Sequence, residues 1–301
     1  DFGKDKKQTG GTLEYVFERI PGLVTRKTGY DIAIFNEPKN AFLLNKGTKN
    51  LETYYIKNKQ QTIEELSQYD VISFDIFDTL ITRKIYDPDD IFKLVELRIE
   101  KENINIENYC KLRKQAETNV RIQKNFENDC NIDEIYEEFA NIANIALEQS
   151  ERIKQIEFDT ELEFCIPRKD ALDIYNALLQ KSKKIILISD MYLTKKYIER
   201  LLNNCGYYNY FELLISSESG KRKDNGTMWT YFYEKYGMCK TIHVGDNEES
   251  DMHKPLDLGK NICHFMQGKK MYNISNYNLD REFNLHESIV LGNIINKGLF
   301  N

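Results

Sequence analysis

Short runs of apolar residues, many of them β-branched, recur along the chain from residue 71 onward. A continuous apolar run of about four to eight residues is typical of a strand buried on both faces of a parallel sheet. The pattern therefore predicts five buried strands: Val71–Asp75, Ile185–Ser189, Leu213–Ser216, Thr241–Asp246 and Asn261–Met266.

Amphipathic helical patterns lie between the later strands. Arg168–Ser182 carries apolar residues at the i, i+3, i+4, i+7 spacing, and Thr194–Asn204 starts on an N-cap candidate, Thr194. Thr227–Tyr236 is a third helix. Alternation of strand and helix predicts an α/β protein, a doubly wound parallel sheet of the Rossmann-like kind.

One interval of about 90 residues after the first strand has no strand pattern. Asp87 followed by Pro88 predicts an N-cap with Pro at the first helical position, launching a helix over Asp89–Glu102. Residues 106–126 are also helical, and Asn131 to Glu134 resembles a capping box with Asn in place of Ser or Thr. An all-helical insertion next to the ligand edge of an open sheet is interpreted as a mobile cap over an active site.

The two ends of the chain show no recognisable chemistry. Before the first strand, Tyr30–Phe35 and Ala41–Leu44 are short strand candidates, and a short helix starts at Thr62. Ser288–Phe300 is moderately apolar and is either a terminal helix or a segment that docks on a further part. Because the chain begins with Asp, we expect an excerpt of a longer protein.

Composition narrows the class of protein. Lys and Arg number 42 against 48 Asp and Glu, a net charge of −6, which argues against a nucleic-acid binder that relies on positive charge. No apolar run approaches the roughly 18 residues of a membrane span, and the first residues do not form a signal peptide. The six cysteines and four histidines show no zinc-ligand spacing. We expect a cytoplasmic protein with reduced thiols.

Reactive side chains stand at or just after the carboxyl ends of four predicted strands. They are Asp75, Ser189, the segment Lys221–Lys223 and Asp246, with Asp251 five residues later. Open sheets gather such groups into one crevice. Carboxylates can hold Mg²⁺, a hydroxyl and an ammonium can bind phosphoryl oxygens, and one carboxylate can attack phosphorus.

This set of motifs, spread over residues 70–266, resembles the haloacid dehalogenase (HAD) superfamily. By that resemblance Asp75 is the nucleophile that becomes phosphorylated, and Ser189 hydrogen-bonds the phosphoryl oxygens. Lys223 is similar to the lysine of the family's third motif because it stands just before Asp-x-Gly and a helix. Lys221 is the rival for that role.

The resemblance also implies a Mg²⁺ site and a domain arrangement. Asp75, Asp246 and the backbone carbonyl of Phe77 would ligate the metal, and Asp251 would ligate it through water or hold the lysine. The helical insertion resembles the family's C1 cap. The implied domains are an N-terminal extension 1–69, a core of 70–84 and 166–266, a cap 85–165 and a C-terminal segment 267–301.

The residues around these motifs are similar to those of one bacterial branch of the superfamily. The segments are Phe74–Leu80, Ser189–Leu193 and Arg113-x-x-Ala116-Glu117. Members of that branch accompany, or are fused to, glycosyltransferases of surface-polysaccharide assembly. The resemblance implies a glycosyltransferase partner or fusion, with residues 1–68 as the remnant of a preceding domain.

One position departs from the pattern of HAD phosphatases. They carry a second Asp two residues after the nucleophile as general acid and base, and here that residue is Phe77. Asp78 comes one residue later, where an extended backbone would point it the other way. Asp78 is either the replacement acid/base or a loop-capping carboxylate.

Three functions remain open on the sequence. The first is a Mg²⁺-dependent phosphohydrolase or phosphoryl-transfer enzyme acting on a small phosphorylated metabolite such as a sugar phosphate. The second is a non-catalytic phosphate- or metal-binding module of a polysaccharide-biosynthesis enzyme. The third is a dehalogenase-type hydrolase, since haloacid dehalogenases carry an aromatic residue at the position of Phe77 and need no Mg²⁺.

Overall fold

The predicted strands form a five-stranded parallel sheet, in the order Glu212–Ile215, Lys184–Ser189, Val71–Phe74, Thr241–Gly245, Asn261–His264. The computed structural model describes residues 32–37, 40–44, 58–274, 279 and 281–299. The described strands are β1 Ile32–Glu37, β2 Asn40–Leu44, β3 Val71–Phe74, β4 Ile81–Arg83, β5 Cys165–Pro167, β6 Lys184–Ser189, β7 Glu212–Ile215, β8 Thr241–Gly245 and β9 Asn261–His264.

Helices cover both faces of this sheet. Alternate side chains of β3 enter different cores: Ile72 and Phe74 join the larger cluster, whereas Val71 joins a smaller one around Trp229. The described α-helices are α1 Lys59–Leu66, α2 Asp90–Lys101, α3 Tyr109–Gln123, α4 Ile132–Ala143, α5 Leu147–Phe164, α6 Lys169–Gln180, α7 Lys195–Asn204, α8 Ser216–Ser219, α9 Thr227–Tyr236, α10 Lys254–Asp257, α11 Gly268–Asn273 and α12 Leu285–Asn293. The prediction of an α/β parallel sheet is confirmed.

The insertion after β3 is helical, as predicted. Helices α2 to α5 lie between β4 and β5, two short strands that pair antiparallel with Ile81 opposite Pro167 and Arg83 opposite Cys165. This ribbon brings the start and end of the insertion together beside the sheet. The sequence pattern did not predict the ribbon, because three-residue strands are too short to show a period.

Two of the three predicted N-cap positions are confirmed and one is wrong. Asn131 and Glu134 form the reciprocal capping box. Thr194 stands at the N-cap of α7, which begins at Lys195, although its side chain makes no capping bond. Asp87 does not cap α2; the helix begins at Asp90, and the Asp87 carboxylate accepts the backbone N–H of Asp89 instead.

The described residues near the two ends of the chain form a hairpin and a helix. In the N-terminal unit, residues 1–57, β1 and β2 form an antiparallel hairpin where two strand candidates were predicted. In the unit of residues 58–301, α12 packs on the segment after β4, and a Cβ on Gly292 would lie 2.2 Å from the backbone carbon of Ile85. Ser288 on the same helix accepts backbone N–H groups of that segment. None of the described helices combines the length and apolar character that crossing a membrane requires.

Candidate active site

Lys223 joins two of the predicted carboxylates into one buried cluster. Its Nζ donates to Asp75 Oδ1 at 2.6 Å and to Asp251 Oδ1 at 2.6 Å. Asp75 directly follows β3, and its backbone N–H continues the sheet by donating to the Val244 carbonyl. All three side chains are buried. The carboxyl edge of the sheet therefore brings together residues 148 and 176 positions apart in sequence, 223 − 75 and 251 − 75.

Asp246 lies in the same cluster. One oxygen from each of Asp75, Asp246 and Asp251 falls within 4.8 Å of the others. Thr79 Oγ1 donates to Asp246 Oδ1 at 3.3 Å, and Gln267 Nε2 donates to Oδ2 at 3.0 Å. These neutral donors hold the carboxylate in place without cancelling its charge.

The glycine before Asp246 makes room for Asp251. Asp251 sits on a π-helical turn, Glu248–His253, that follows β8 directly. A Cβ on Gly245 would lie 2.5 Å from Asp251 Cβ and 2.6 Å from its Oδ2, closer than side-chain atoms can approach. A larger residue at position 245 would therefore displace Asp251 from the cluster.

Ser189 and the lysine-bearing segment meet on the other side of Asp75. Ser189 ends β6 and is buried, and no described residue hydrogen-bonds its hydroxyl. Asp190 accepts the backbone N–H of Lys223 at 2.7 Å and also that of Asp224, fixing the segment that carries the lysine. Lys221, the rival lysine, instead places its Nζ 5.6 Å from the ring of Tyr231. Lys223 is therefore the lysine that reaches the cluster.

Phe77 and Asp78 lie on the tight loop after β3. Asp78 has a φ of 59°, in the left-handed region, so the alternation of an extended strand does not apply to it. Its carboxylate accepts from Thr82 Oγ1 at 3.4 Å, and its carbonyl accepts from Arg168 Nη1 at 3.1 Å. The Arg83 guanidinium lies 4.7 Å from the centre of the Phe77 ring. Asp78 is not one of the three clustered carboxylates, although its charge raises the pKa of Asp246.

Burial raises the pKa values of two carboxyl groups in the cluster, Asp75 and Asp246. Desolvation, helped by the nearby charge of Asp251, raises the pKa of Asp75 to about 7 even though Lys223 opposes the shift. Desolvation and the charges of Asp75, Asp78 and Asp251 raise the pKa of Asp246 well above its ordinary value. These two carboxylates are poorly compensated, because among the described residues Lys223 is the one ammonium that contacts the cluster.

Lys223 and Asp251 form an ion pair in which the charged forms are favoured, in contrast to Asp75 and Asp246. Burial would lower the pKa of Lys223, but the carboxylates of Asp251, Asp75 and Asp190 outweigh burial and raise it. Burial would raise the pKa of Asp251, but Lys223 and His243 outweigh that effect and hold it below its usual range. This pair stays charged through the physiological pH range.

His243 supports Asp251 from inside the sheet. It is fully buried in β8, where its Nδ1 lies 2.9 Å from Ser73 Oγ and its Nε2 lies 3.4 Å from Asp251 Oδ1. Desolvation lowers its pKa, so the imidazole is neutral at neutral pH. Nε2 has no hydrogen-bond partner among the described residues, so the histidine packs beside the Asp251 carboxylate without supplying a fixed positive charge.

The donor set fits a divalent cation with a preference for oxygen ligands. Three buried carboxylates share one ammonium, and like charges this close raise one another's pKa. A hard cation such as Mg²⁺ would supply the missing positive charge through Asp75, Asp246 and Asp251.

We expect cation binding to weaken below about pH 7. With its pKa at about 7, Asp75 is protonated in the metal-free protein at pH 6, and a cation must displace that proton. If one proton is released, the apparent Kd for Mg²⁺ should rise about tenfold per pH unit below 7. Isothermal titration calorimetry at pH 6 and pH 8 measures this, and equal Kd values would contradict it.

The same pKa shift sets how the metal-free protein responds to pH. A folded-state pKa of about 7 for Asp75, against 3.8 ordinarily, gives stability that is fully present below pH 3.8 and is lost as pH rises toward 7. The variant Asp246→Asn tests this effect at a second carboxyl group whose pKa is also raised. It should increase the metal-free Tm at pH 8 and eliminate the stabilisation by Mg²⁺.

Several residues of the site were not predicted from the sequence. Thr79 and Gln267 hold Asp246, Asp190 holds the Lys223 segment, and His243 supports Asp251. Asp190 follows Ser189 directly, so its place in the second motif was the available signal. Gln267 lies just beyond β9 and carried no pattern that would distinguish it from a turn residue.

Comparisons with known proteins give similarity in fold only. No protein-family model matches the chain, and no curated protein matches it. YfnB from Bacillus subtilis, described as a HAD hydrolase bound to magnesium, is 19% identical with a TM-score of 0.46, covering 65% of this chain and 88% of that chain. A haloacid dehalogenase-like hydrolase from Xanthomonas campestris is 13% identical with a TM-score of 0.46, covering 76% and 92%.

A third similar structure is a HAD phosphatase from Thermococcus onnurineus. It is 15% identical, has a TM-score of 0.45, and the alignment covers 71% of this chain and 90% of that chain. Similarity at this level does not extend the activity of any of these proteins to this chain, so function rests on the site itself.

Proposed function

We propose that the protein is a Mg²⁺-dependent HAD-type phosphohydrolase or phosphoryl-transfer enzyme that acts on a small phosphorylated metabolite such as a sugar phosphate. The observation that carries the proposal is the buried cluster in which Lys223 contacts Asp75 and Asp251, with Asp246 in reach of both acids. The cluster pairs a carboxylate nucleophile with groups that bind anionic oxygens.

The chain's own residues would divide the reaction in two steps. An oxygen of Asp75 bonds to phosphorus while the bond from phosphorus to the substrate oxygen breaks, and the departing oxygen takes a proton from Asp78, the carboxyl proposed as acid/base. Water then attacks the phosphorus and gives a proton to the Asp78 carboxylate, while the bond from Asp75 to phosphorus breaks, which releases orthophosphate and restores the Asp75 carboxylate. Lys223 and the Ser189 hydroxyl bind the phosphoryl oxygens, where negative charge develops. Mg²⁺ held by Asp75, Asp246 and Asp251 would neutralise part of that charge.

The three buried acids favour this reaction over dehalogenation. A cation-independent hydrolase needs one nucleophilic carboxylate. The additional buried charges of Asp246 and Asp251 would only destabilise its folded state. Their grouping has a use when a divalent cation binds. This supports metal-assisted phosphoryl chemistry. We also propose a cytoplasmic role, and the net charge of −6 argues against a nucleic-acid partner.

A phosphate-ester panel with and without Mg²⁺ tests the proposal. We expect at least one sugar phosphate or related ester to release phosphate with Mg²⁺ and to stop doing so in EDTA. Activity toward 2-haloacids that survives EDTA would favour the dehalogenase-type function. Mg²⁺ or phosphate binding without turnover above the Asp75→Asn background would overturn hydrolysis and favour the non-catalytic module, for which a glycosyltransferase is the proposed partner.

We further propose that Asp78 replaces the acid/base that Phe77 lacks. Desolvation raises the pKa of Asp78 although Arg83 and Arg168 oppose it, and a raised pKa suits a carboxyl that donates a proton near neutral pH. Asp78→Asn should lower kcat by about 10²–10⁴-fold.

Substrates with different leaving groups separate this role from a structural one. An ester whose leaving group needs no protonation, such as an aryl phosphate, should lose less rate in Asp78→Asn than an alkyl phosphate. Equal losses on both would argue that Asp78 only caps the loop through Thr82. A Thr82→Val variant, which removes that contact alone, is the matched control.

A further inference from the structure

A buried chain of hydrogen bonds connects the helical cap to the core beside the site. Asp129, between α3 and α4, accepts from Ser216 Oγ at 2.5 Å and from Arg121 Nη1 at 2.5 Å. Ser216 Oγ in turn accepts the backbone N–H of Met191 at 2.9 Å. Asp129 and Ser216 are 4% and 0% exposed, so these bonds are shielded from water.

The core end of this chain is the segment that holds both Ser189 and the lysine. Met191 follows Asp190, whose carboxylate accepts the backbone N–H groups of Lys223 and Asp224. A serine hydroxyl has a single hydrogen. When Asp129 accepts it, the lone pairs of Ser216 are left for Met191, and the segment after β6 is fixed. Asp129 thereby acts on Lys223 through three intermediates, Ser216, Met191 and Asp190.

Two more contacts come from the same part of the cap, residues 124–132. Ile132 donates its backbone N–H to the Tyr192 carbonyl at 2.8 Å, and Arg222 Nη1 donates to the Phe126 carbonyl at 3.0 Å. Tyr192 and Arg222 flank the segments that carry Ser189 and Lys223. One stretch of the cap therefore touches both halves of the phosphoryl-binding side of the site.

We propose that Asp129 is a positioning residue that couples the seating of the cap to the placement of Ser189 and Lys223. When the cap is seated, Asp129 orients Ser216 and fixes both segments; when the cap leaves, that restraint is lost. The site is then complete only under a closed cap, which keeps bulk water out while a phosphoryl group is held. The kinetic consequence rests on the proposed function, whereas the coupling itself does not.

Hydrogen exchange tests the coupling without any substrate. Ser216→Ala and Asp129→Asn should each speed amide exchange in residues 189–193 and 221–226 by about tenfold, the effect expected on losing a hydrogen bond to a charged group. Ser150→Ala is the matched control, because Ser150 is equally buried but bonds only the Tyr136 carbonyl inside the cap. Unchanged exchange at 221–226 in both variants, or the same change in the control, overturns the proposal.

A kinetic arm applies to any ester found in the panel. Both variants should lower kcat about tenfold with KM changed less than about twofold, and the double variant should be no worse than either single one. Ser150→Ala combined with Ser216→Ala should be additive. If the protein turns over no ester, the proposed function is wrong, and the hydrogen-exchange result alone decides the coupling. If the enzyme is active and both variants show normal exchange and normal kcat, only the coupling is wrong.

Discussion

Replacing Asp75 with asparagine is expected to abolish phosphate release, lowering kcat on the order of 10⁴-fold or more. An amide is nearly the same size as a carboxyl group but is a far weaker nucleophile. Asp75 is also within 2.6 Å of Lys223, so the reacting oxygen lies next to the ammonium that would bind the phosphoryl group. Steady-state phosphate release, measured beside the wild type in saturating Mg²⁺, gives the ratio.

Loss of activity in this variant should not come from unfolding. Burial raises the pKa of Asp75 to about 7, so the charged side chain costs the metal-free fold stability at neutral pH. Lys223 keeps Asp251 as a partner. The metal-free Tm of Asp75→Asn at pH 8 should therefore equal or exceed that of the wild type.

Asp70→Asn provides the matched control. Asp70 is exposed at the opposite end of β3, where its carboxylate accepts the backbone N–H of Lys240. Its kcat should stay within about twofold of the wild type. If Asp75→Asn retained more than about a tenth of the wild-type rate, Asp75 would not be the nucleophile.

The sequence was informative about the site because parallel sheets align their carboxyl ends. Once β3, β6 and β8 are recognised as buried apolar runs, Asp75, Ser189 and Asp246 must share one edge. This alignment of strand ends does not depend on the conformation of the loops. It therefore brings these residues together without fixing the distances between their atoms.

Loop geometry was beyond the reach of that argument. The orientation of Asp78 depends on a left-handed residue in a tight turn, which the alternation of a strand does not describe. The choice between Lys221 and Lys223 depends on Asp190, which fixes the backbone of the segment. The position of Lys223 before Asp-x-Gly favoured it over Lys221 but did not show its contacts, and the orientation of Asp78 cannot be predicted from residue spacing.

Helix α5 lies within the segment predicted to be helical, but its bounds were not predicted, for a different reason. Much of its buried face is polar: Ser150, Lys154, Glu157 and Glu161 recur at helical spacing and are buried. A search for apolar periodicity sees no core-facing stripe there. The polar groups find partners elsewhere in the cap and its base, such as Arg83 for Glu161 and Arg113 for Glu157.

The pair of Arg113 and Glu157 should be the most sensitive point of the cap. Both side chains are fully buried, and Arg113 Nε and Nη2 donate to the two oxygens of Glu157 at 2.8 and 2.9 Å. Tyr109 and Tyr136 also donate to the carboxylate. The Arg113 guanidinium lies 4.8 Å from the centre of the Tyr192 ring, so the pair also supports a residue that follows Ser189 in the core.

Glu157→Gln is expected to destabilise the protein by about 3–5 kcal/mol, lowering Tm by roughly 10 °C. The change preserves size but leaves Arg113 with only a partial partner, Glu117 at 3.2 Å. A buried charge without compensation costs far more than the net contribution of the intact pair. Thermal and urea unfolding of the metal-free protein measure the loss.

Two comparisons separate charge burial from the simple loss of an ion pair. Glu102→Gln breaks a pair with Arg152 in which both side chains are exposed, and it should change stability by no more than about 0.5 kcal/mol. The double replacement Arg113→Met with Glu157→Leu removes both charges and should recover much of the loss, because the cost lies in the orphaned guanidinium. A double variant as unstable as Glu157→Gln would show instead that the tyrosine hydroxyls and the shape of the pair hold the cap together.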